Sequence, residues 1–204
     1  RRDAERGVDQ GAAEPAPAAL RGAIEAAQRL SDADRWDTVT PRMAAQRLAP
    51  LVMHPMTPAA MRHELSDAAV RQATEAASRA PASSQAQRLL AGLHEQRALI
   101  ERDAERSREA LERSLAHWQR CAGLYPTEPR ARLAAMRVAL RVWTLTGSAE
   151  TAAIAAEHGC LALAIDMTRH PQAAERLSPR ELHLLREGLR SLREAGVRIE
   201  CDAP

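Results

Sequence analysis

The chain has 204 residues, of which 45% are hydrophobic and only 2% aromatic, and it contains no phenylalanine. Its 29 basic residues nearly balance 27 acidic ones, giving a formal net charge of +2. This balance, without aromatic stacking residues, argues against a nucleic-acid partner. β-branched and aromatic residues are scarce, so we expect an all-α fold built from Ala and Leu. The basic residues are all arginine, which is typical of a high-GC bacterial genome.

The N-terminal residues 1–15 combine charge, glycine and Ala-Pro alternation without periodicity, which predicts a flexible linker. One helical-repeat domain is predicted over 16–204. Its first helix runs from Pro17 to about Leu30 and ends at the polar stretch 31–34. Apolar periodicity then predicts helices near 41–53, 58–79, 84–98, 102–124, 129–145, 149–168 and 178–194. Whether the helix at 58–79 is broken at Ser66 is left open.

Several helix ends carry local signals. Three starts combine a hydroxyl N-cap with a following proline, namely Thr40-Pro41, Thr57-Pro58 and Ser178-Pro179. Glu181 adds a capping box to the last of them. Gly147 predicts the stop of one helix, and Ser148 the N-cap of the next.

The domain contains an internal repeat. Pro81, Pro126 and Pro171 stand 45 residues apart, and rows 36–80, 81–125 and 126–170 keep apolar residues in phase. The shared columns include Ala45/Leu90/Ala135, Leu48/Leu93/Val138, Val70/Leu115/Cys160 and Ala73/Trp118/Leu163. Two amphipathic helices per row predict a solenoid of antiparallel helical hairpins. Residues 171–195 are predicted to form its C-terminal capping helix, with Leu182, Leu185, Leu189 and Leu192 on the buried side.

Two resemblances follow from these stretches. The row from Ala149 to Pro171, with its Gly-Ser turn and Ala-rich helix, resembles tetratricopeptide repeats, although a period of 45 falls in the HEAT and armadillo range. Residues 162–166, 170–171 and 177–181 are similar to the closing segment of the helical-repeat tail of some bacterial O-antigen ligase/polymerase family membrane proteins. Residues 23–34 are similar to the first helix of that tail.

The second resemblance implies a non-catalytic interaction or scaffold module of an envelope-polysaccharide membrane protein, whose catalytic residues lie outside this chain. A stand-alone soluble adaptor is the alternative. The chain starts at Arg1 without a methionine and shows neither a signal peptide nor a membrane-spanning run. We therefore interpret it as a soluble bacterial segment that a missing parent segment could tether to a membrane. The side of the membrane and the oligomeric state stay open.

Five residues are candidates for binding a protein or peptide partner. Arg130, Arg137 and Arg141 fall at i, i+7 and i+11 on one polar stripe, where bidentate guanidinium groups could hold an acidic peptide. A solvated helix face is the competing interpretation. Trp36 and Tyr125 stand at predicted inter-helix turns, where an aromatic ring either folds back onto a helix or stays available to a partner. Trp118 and Trp143 are instead predicted to pack against each other.

An enzyme is the third hypothesis. His158, Cys160 and His170 are the nearest approach to a catalytic or metal cluster, but Cys160 shares an apolar column and is predicted to be a core thiol. Cys121, Cys160 and Cys201 form an odd set without CxxC spacing, which argues against a disulfide framework and a zinc site. We therefore expect no catalytic residue, metal or cofactor. The remaining histidines, His54, His63, His94, His117 and His183, are predicted to be solvated.

Overall fold

A computed structural model of the chain describes residues 17–34, 36–169 and 176–201. Within these ranges the protein is all-α, with eight helices and no β-strand. The helices are α1 (Pro17–Ala33), α2 (Val39–Val52), α3 (Ala59–Arg79), α4 (Ser84–Ile100), α5 (Ala104–Leu124), α6 (Pro129–Thr146), α7 (Ala149–Met167) and α8 (Pro179–Glu194). The predicted linker 1–15 lies outside the described residues, as do His170 and Pro171.

Every predicted helix is present, and the predicted ends agree to within three residues. The capping box of α8 is confirmed, since Ser178 and Glu181 each accept a hydrogen bond from the other's backbone N–H. The stop at Gly147 is also confirmed, because this residue adopts a left-handed conformation with φ of 66°. Helix α3 runs through Ser66 without a break, and Ser66 is buried.

Two predicted N-caps are wrong. Helix α2 begins at Val39, one residue before Thr40, because the Asp37 carboxylate accepts hydrogen bonds from the Val39 and Thr40 N–H groups. Asp37 thus satisfies N–H groups that lie ahead of those a Thr40 cap would serve, and a carboxylate is a strong acceptor. Before α3, the Thr57 hydroxyl donates to the Leu51 carbonyl and makes no cap hydrogen bond.

Neighbouring helices pack most extensively in the pairs α2 with α3, α4 with α5, and α6 with α7. Helix α1 packs on α2 and α3, while α8 packs on α6 and α7. The predicted core positions Leu48, Leu93 and Val138 are all buried. Buried apolar side chains form one cluster across α1 to α4. A second cluster, which we call the C-terminal core cluster, extends from the end of α4 to α8.

The C-terminal segment is fastened to α7 by two contacts that the sequence analysis did not foresee. Cys160 and Cys201 form a disulfide with their Cα atoms 5.0 Å apart, so the prediction of a free core thiol at Cys160 is wrong. The buried carboxylate of Asp166 accepts hydrogen bonds from the Leu177 N–H at 2.6 Å and from Arg176 at 2.9 Å. Residues on both sides of 179–194 are thereby tied to α7.

Cys160 and Cys201 meet because residues 197–201 return along the core. Val197, Ile199 and Cys201 alternate with Arg198 and Glu200, and the three apolar side chains pack against the C-terminal core cluster. This alternation was the available signal for an extended, half-buried segment.

Candidate interaction surfaces

The three arginines predicted to hold an acidic peptide lie on α6, but they contact two separate regions of the chain. Arg130 forms an ion pair with Glu181 at 3.3 Å and donates to the Arg176 carbonyl oxygen. Arg137 and Arg141 both approach Glu95, at 3.1 and 3.7 Å. Arg137 and Arg141 therefore act as one site, whereas Arg130 supports the start of α8.

Glu95 is the residue that sequence reasoning missed. Its side chain on α4 is only 15% exposed and also accepts a hydrogen bond from the Trp118 indole N–H at 3.0 Å. This carboxylate thus connects α4, α5 and α6. A partly buried tryptophan N–H usually finds an acceptor, so a carboxylate near Trp118 could have been sought. Trp118 and Trp143 both pack against the C-terminal core cluster.

Trp36 is presented to solvent on a firmly held turn. Its side chain is 85% exposed between α1 and α2. Arg79 fixes the surrounding backbone, because its guanidinium donates to the carbonyl oxygens of Ser31, Asp34 and Asp37 at 2.6 to 3.0 Å. The guanidinium is itself held by Glu75 at 2.8 Å. Trp36 therefore does not fold back onto a helix end.

Tyr125 is also accessible, with 49% of its surface exposed after α5. It lines an open cleft of about 670 Å³ together with Thr127, Arg130, Ile165 and neighbouring residues. The two aromatic turn residues are far apart in sequence. Trp36 lies in the turn between α1 and α2, whereas Tyr125 lines the cleft beside the start of α6. Each remains a separate candidate contact.

His94 and His117 are not solvated as predicted. Their rings stack between α4 and α5 with centroids 5.6 Å apart, and the His117 Nδ1 lies 2.8 Å from the Gln87 side-chain oxygen. His94 is buried. Burial, followed by the positive charges of His117 and nearby arginines, lowers the pKa of His94 to about 4. The pKa of His117 is lowered mainly by burial.

His158 and Cys160 do not form a catalytic pair in this state. The sulfur of Cys160 is bonded to Cys201, and no free thiolate is available at that position. His158 is buried, with its Nδ1 3.4 Å from an Arg132 guanidinium nitrogen. Burial is the main cause that lowers the pKa of His158, and Arg132 adds to it.

Two general features bear on function. The described ranges contain no group of three or more His, Cys, Asp or Glu side chains placed to hold a metal ion. They also contain no helix that combines the length and apolarity needed to cross a membrane.

No family model, curated protein or solved structure matches the chain. The resemblances to tetratricopeptide repeats and to the O-antigen ligase tail stay predictions. Function is therefore inferred from the surfaces described above.

Proposed function

We propose that this chain is a non-catalytic protein-interaction or scaffold module. The observation that carries the proposal is the placement of its aromatic residues. Of only four aromatic residues, Trp36 is largely exposed and Tyr125 about half exposed, both at turns between helices. Aromatic side chains contribute more burial energy than any others, and tryptophan and tyrosine are enriched at interface hot spots. Their exposure in a chain so poor in aromatics favours a role in binding.

The proposed architecture is a solenoid of three helical hairpins closed by α8. Support comes from the extensive packing within the pairs α2–α3, α4–α5 and α6–α7, and from the burial of Leu48, Leu93 and Val138 at matching positions of the three rows. A stack of hairpins offers extended surfaces to partners. In this proposal, Arg137 and Arg141 hold Glu95 and keep enough exposure to meet a further carboxylate.

The larger protein is proposed to be an envelope-polysaccharide membrane protein of the O-antigen ligase type, with a stand-alone adaptor as the alternative. The resemblances within α1 and around the α7–α8 connection support the first. The disulfide supports a location in an oxidising compartment, since disulfides are rare in the cytosol. The coding sequence ahead of Arg1 separates the two, because membrane helices there favour the tail and an immediate start codon favours the adaptor.

Site-specific photo-cross-linking in producing cells tests the interaction function. A photoreactive amino acid is placed at Trp36, Tyr125 or Arg137, and for comparison at Leu184, an exposed residue on α8. We expect a discrete cross-linked partner from at least one of the first three positions and none from Leu184. Absence of any cross-link at all four positions would refute the proposed function.

A further inference from the structure

The outer side of α2 exposes a row of apolar side chains, which we define as the α2 face: Trp36, Val39, Met43, Pro50 and Met53. Val39, Met43 and Pro50 fall at i, i+4 and i+11, so they share one side of the helix. Trp36 lies in the turn before α2, and Met53 follows its last residue. Val39, Met43 and Met53 are between 41% and 47% exposed.

The opposite side of α2 is firmly anchored. Ala45, Leu48 and Val52 are buried in the core cluster shared by α1 to α4. The α2 face is thus a rigid surface backed by packed helices. Contiguous exposed apolar residues of this kind mark interaction sites on soluble domains. Tryptophan and methionine, which the α2 face contains, are both enriched at the centres of protein interfaces.

The charged side chains of α2 itself are all positive, and the one carboxylate within the span of the α2 face, that of Asp37, already accepts hydrogen bonds from the Val39 and Thr40 N–H groups. Residues 38–63 contain three arginines and no aspartate or glutamate. Neither Arg42 nor Arg47 forms an ion pair with any described residue, and the Arg42 Nε atom is buried without an acceptor. A second copy of the chain would bring arginines against arginines, which is unfavourable. A partner rich in carboxylates would instead pair with the accessible guanidinium atoms of Arg42 and Arg47.

We propose that the α2 face binds an amphipathic helix of a partner protein, with acidic side chains beside its apolar seam. This inference rests on the proposed interaction function and assigns it a surface and a type of partner. The gaps of three, four, seven and three residues along the α2 face match the seam between two paired helices. Methionine side chains adapt readily to such a seam.

A pair of synthetic helical peptides provides the probe. Both carry the same leucine seam, and one has glutamate and the other lysine at the flanking positions. Binding is measured by the emission of Trp36, with Trp36→Phe protein identifying its contribution. We expect the glutamate peptide to shift the emission to shorter wavelength. Its affinity should exceed that of the lysine peptide at least tenfold and should fall as salt is added.

Matched variants test the location. Met43 and Leu184 are both 47% exposed, the first on the α2 face and the second on α8. Met43→Glu should weaken binding of the glutamate peptide at least tenfold, whereas Leu184→Glu should leave it unchanged. Arg47→Glu should reduce or reverse the preference for the glutamate peptide. Circular dichroism of each variant checks that the helices are retained.

Four results would overturn the inference. They are equal binding of both peptides, no binding of either, a Trp36 emission shift with anionic lipid vesicles but not with the glutamate peptide, and dimerisation of the chain that Met43→Glu abolishes. Failure of this inference is distinct from failure of the proposed function. Cross-linking at Tyr125 or Arg137 would still support an interaction module when the α2 face binds no helix.

Discussion

Gly159 lies in α7 where that helix packs against α6 and α8 without room for a side chain. A Cβ atom added there would stand 2.7 Å from the Met136 sulfur and 2.8 Å from the Leu189 Cδ2 atom. Carbon contacts are optimal at about 3.5–4.0 Å, so these neighbours would have to move by about 1 Å. We therefore expect Gly159→Ala to destabilise the fold.

Two opposing effects set the magnitude. Alanine in place of glycine inside a helix stabilises by about 0.5–1 kcal/mol, chiefly through the entropy of the unfolded chain. Overpacking of a core costs about 1–3 kcal/mol. Met136 and Leu189 are both buried and cannot swing into solvent, so the cost lies in the upper part of that range. The net loss should be about 1–2 kcal/mol, which lowers Tm by about 2–8 °C.

Gly123→Ala is the matched control. Gly123 is exposed in α5, and an added Cβ atom would meet nothing within 4 Å. Its replacement should raise the free energy of unfolding by about 0.5–1 kcal/mol. Urea and thermal unfolding, followed by circular dichroism in non-reducing buffer, measure both variants. Equal stabilisation by Gly159→Ala and Gly123→Ala would refute the close packing of α7 against Met136 and Leu189.

Three further predictions concern other groups. Cys201→Ser should lower the free energy of unfolding by up to about 4 kcal/mol, since the disulfide joins residues 41 apart in sequence. Thiol titration of the unfolded, unreduced wild-type protein should detect only Cys121. Detection of three thiols would contradict the disulfide. Asp166→Ala should lower the free energy of unfolding, measured in urea, by about 2–3 kcal/mol, because the buried carboxylate accepts hydrogen bonds from the Arg176 side chain and the Leu177 N–H. In the unfolded chain His94 binds a proton below about pH 6.5, whereas in the folded protein it stays neutral until about pH 4. Lowering the pH through this range should therefore reduce the free energy of unfolding by at most about 3 kcal/mol. Identical pH profiles for wild type and His94→Gln would contradict that explanation.

Much of the secondary structure was predictable because its signals are local. Apolar spacing located all eight helices of the described ranges, and the Ser178 capping box and Gly147 stop marked two ends. These signals act within a few residues, where the backbone's own hydrogen bonds decide the conformation. The Thr40 cap failed because Asp37, three residues earlier, accepts from the Val39 and Thr40 N–H groups and so lets the helix begin before Thr40.

The candidate surfaces were predictable only in part. The turn positions of Trp36 and Tyr125 followed from the helix boundaries, and both residues are accessible. The partners of the α6 arginines did not follow, because Glu95 lies on α4 and its distance from Arg137 depends on how α4 and α6 pack. The α2 face has helical spacing in the sequence, but spacing does not say whether a neighbouring helix covers it.

The sequence by itself determined an all-α chain, its helix boundaries to within three residues and many of the apolar positions that face the core. Tertiary structure decided the pairing of Cys160 with Cys201, the stacking of His94 on His117 and the sharing of Glu95 between two arginines. Each of these contacts joins residues more than 20 positions apart. Their geometry depends on the relative placement of whole helices, which no local propensity encodes.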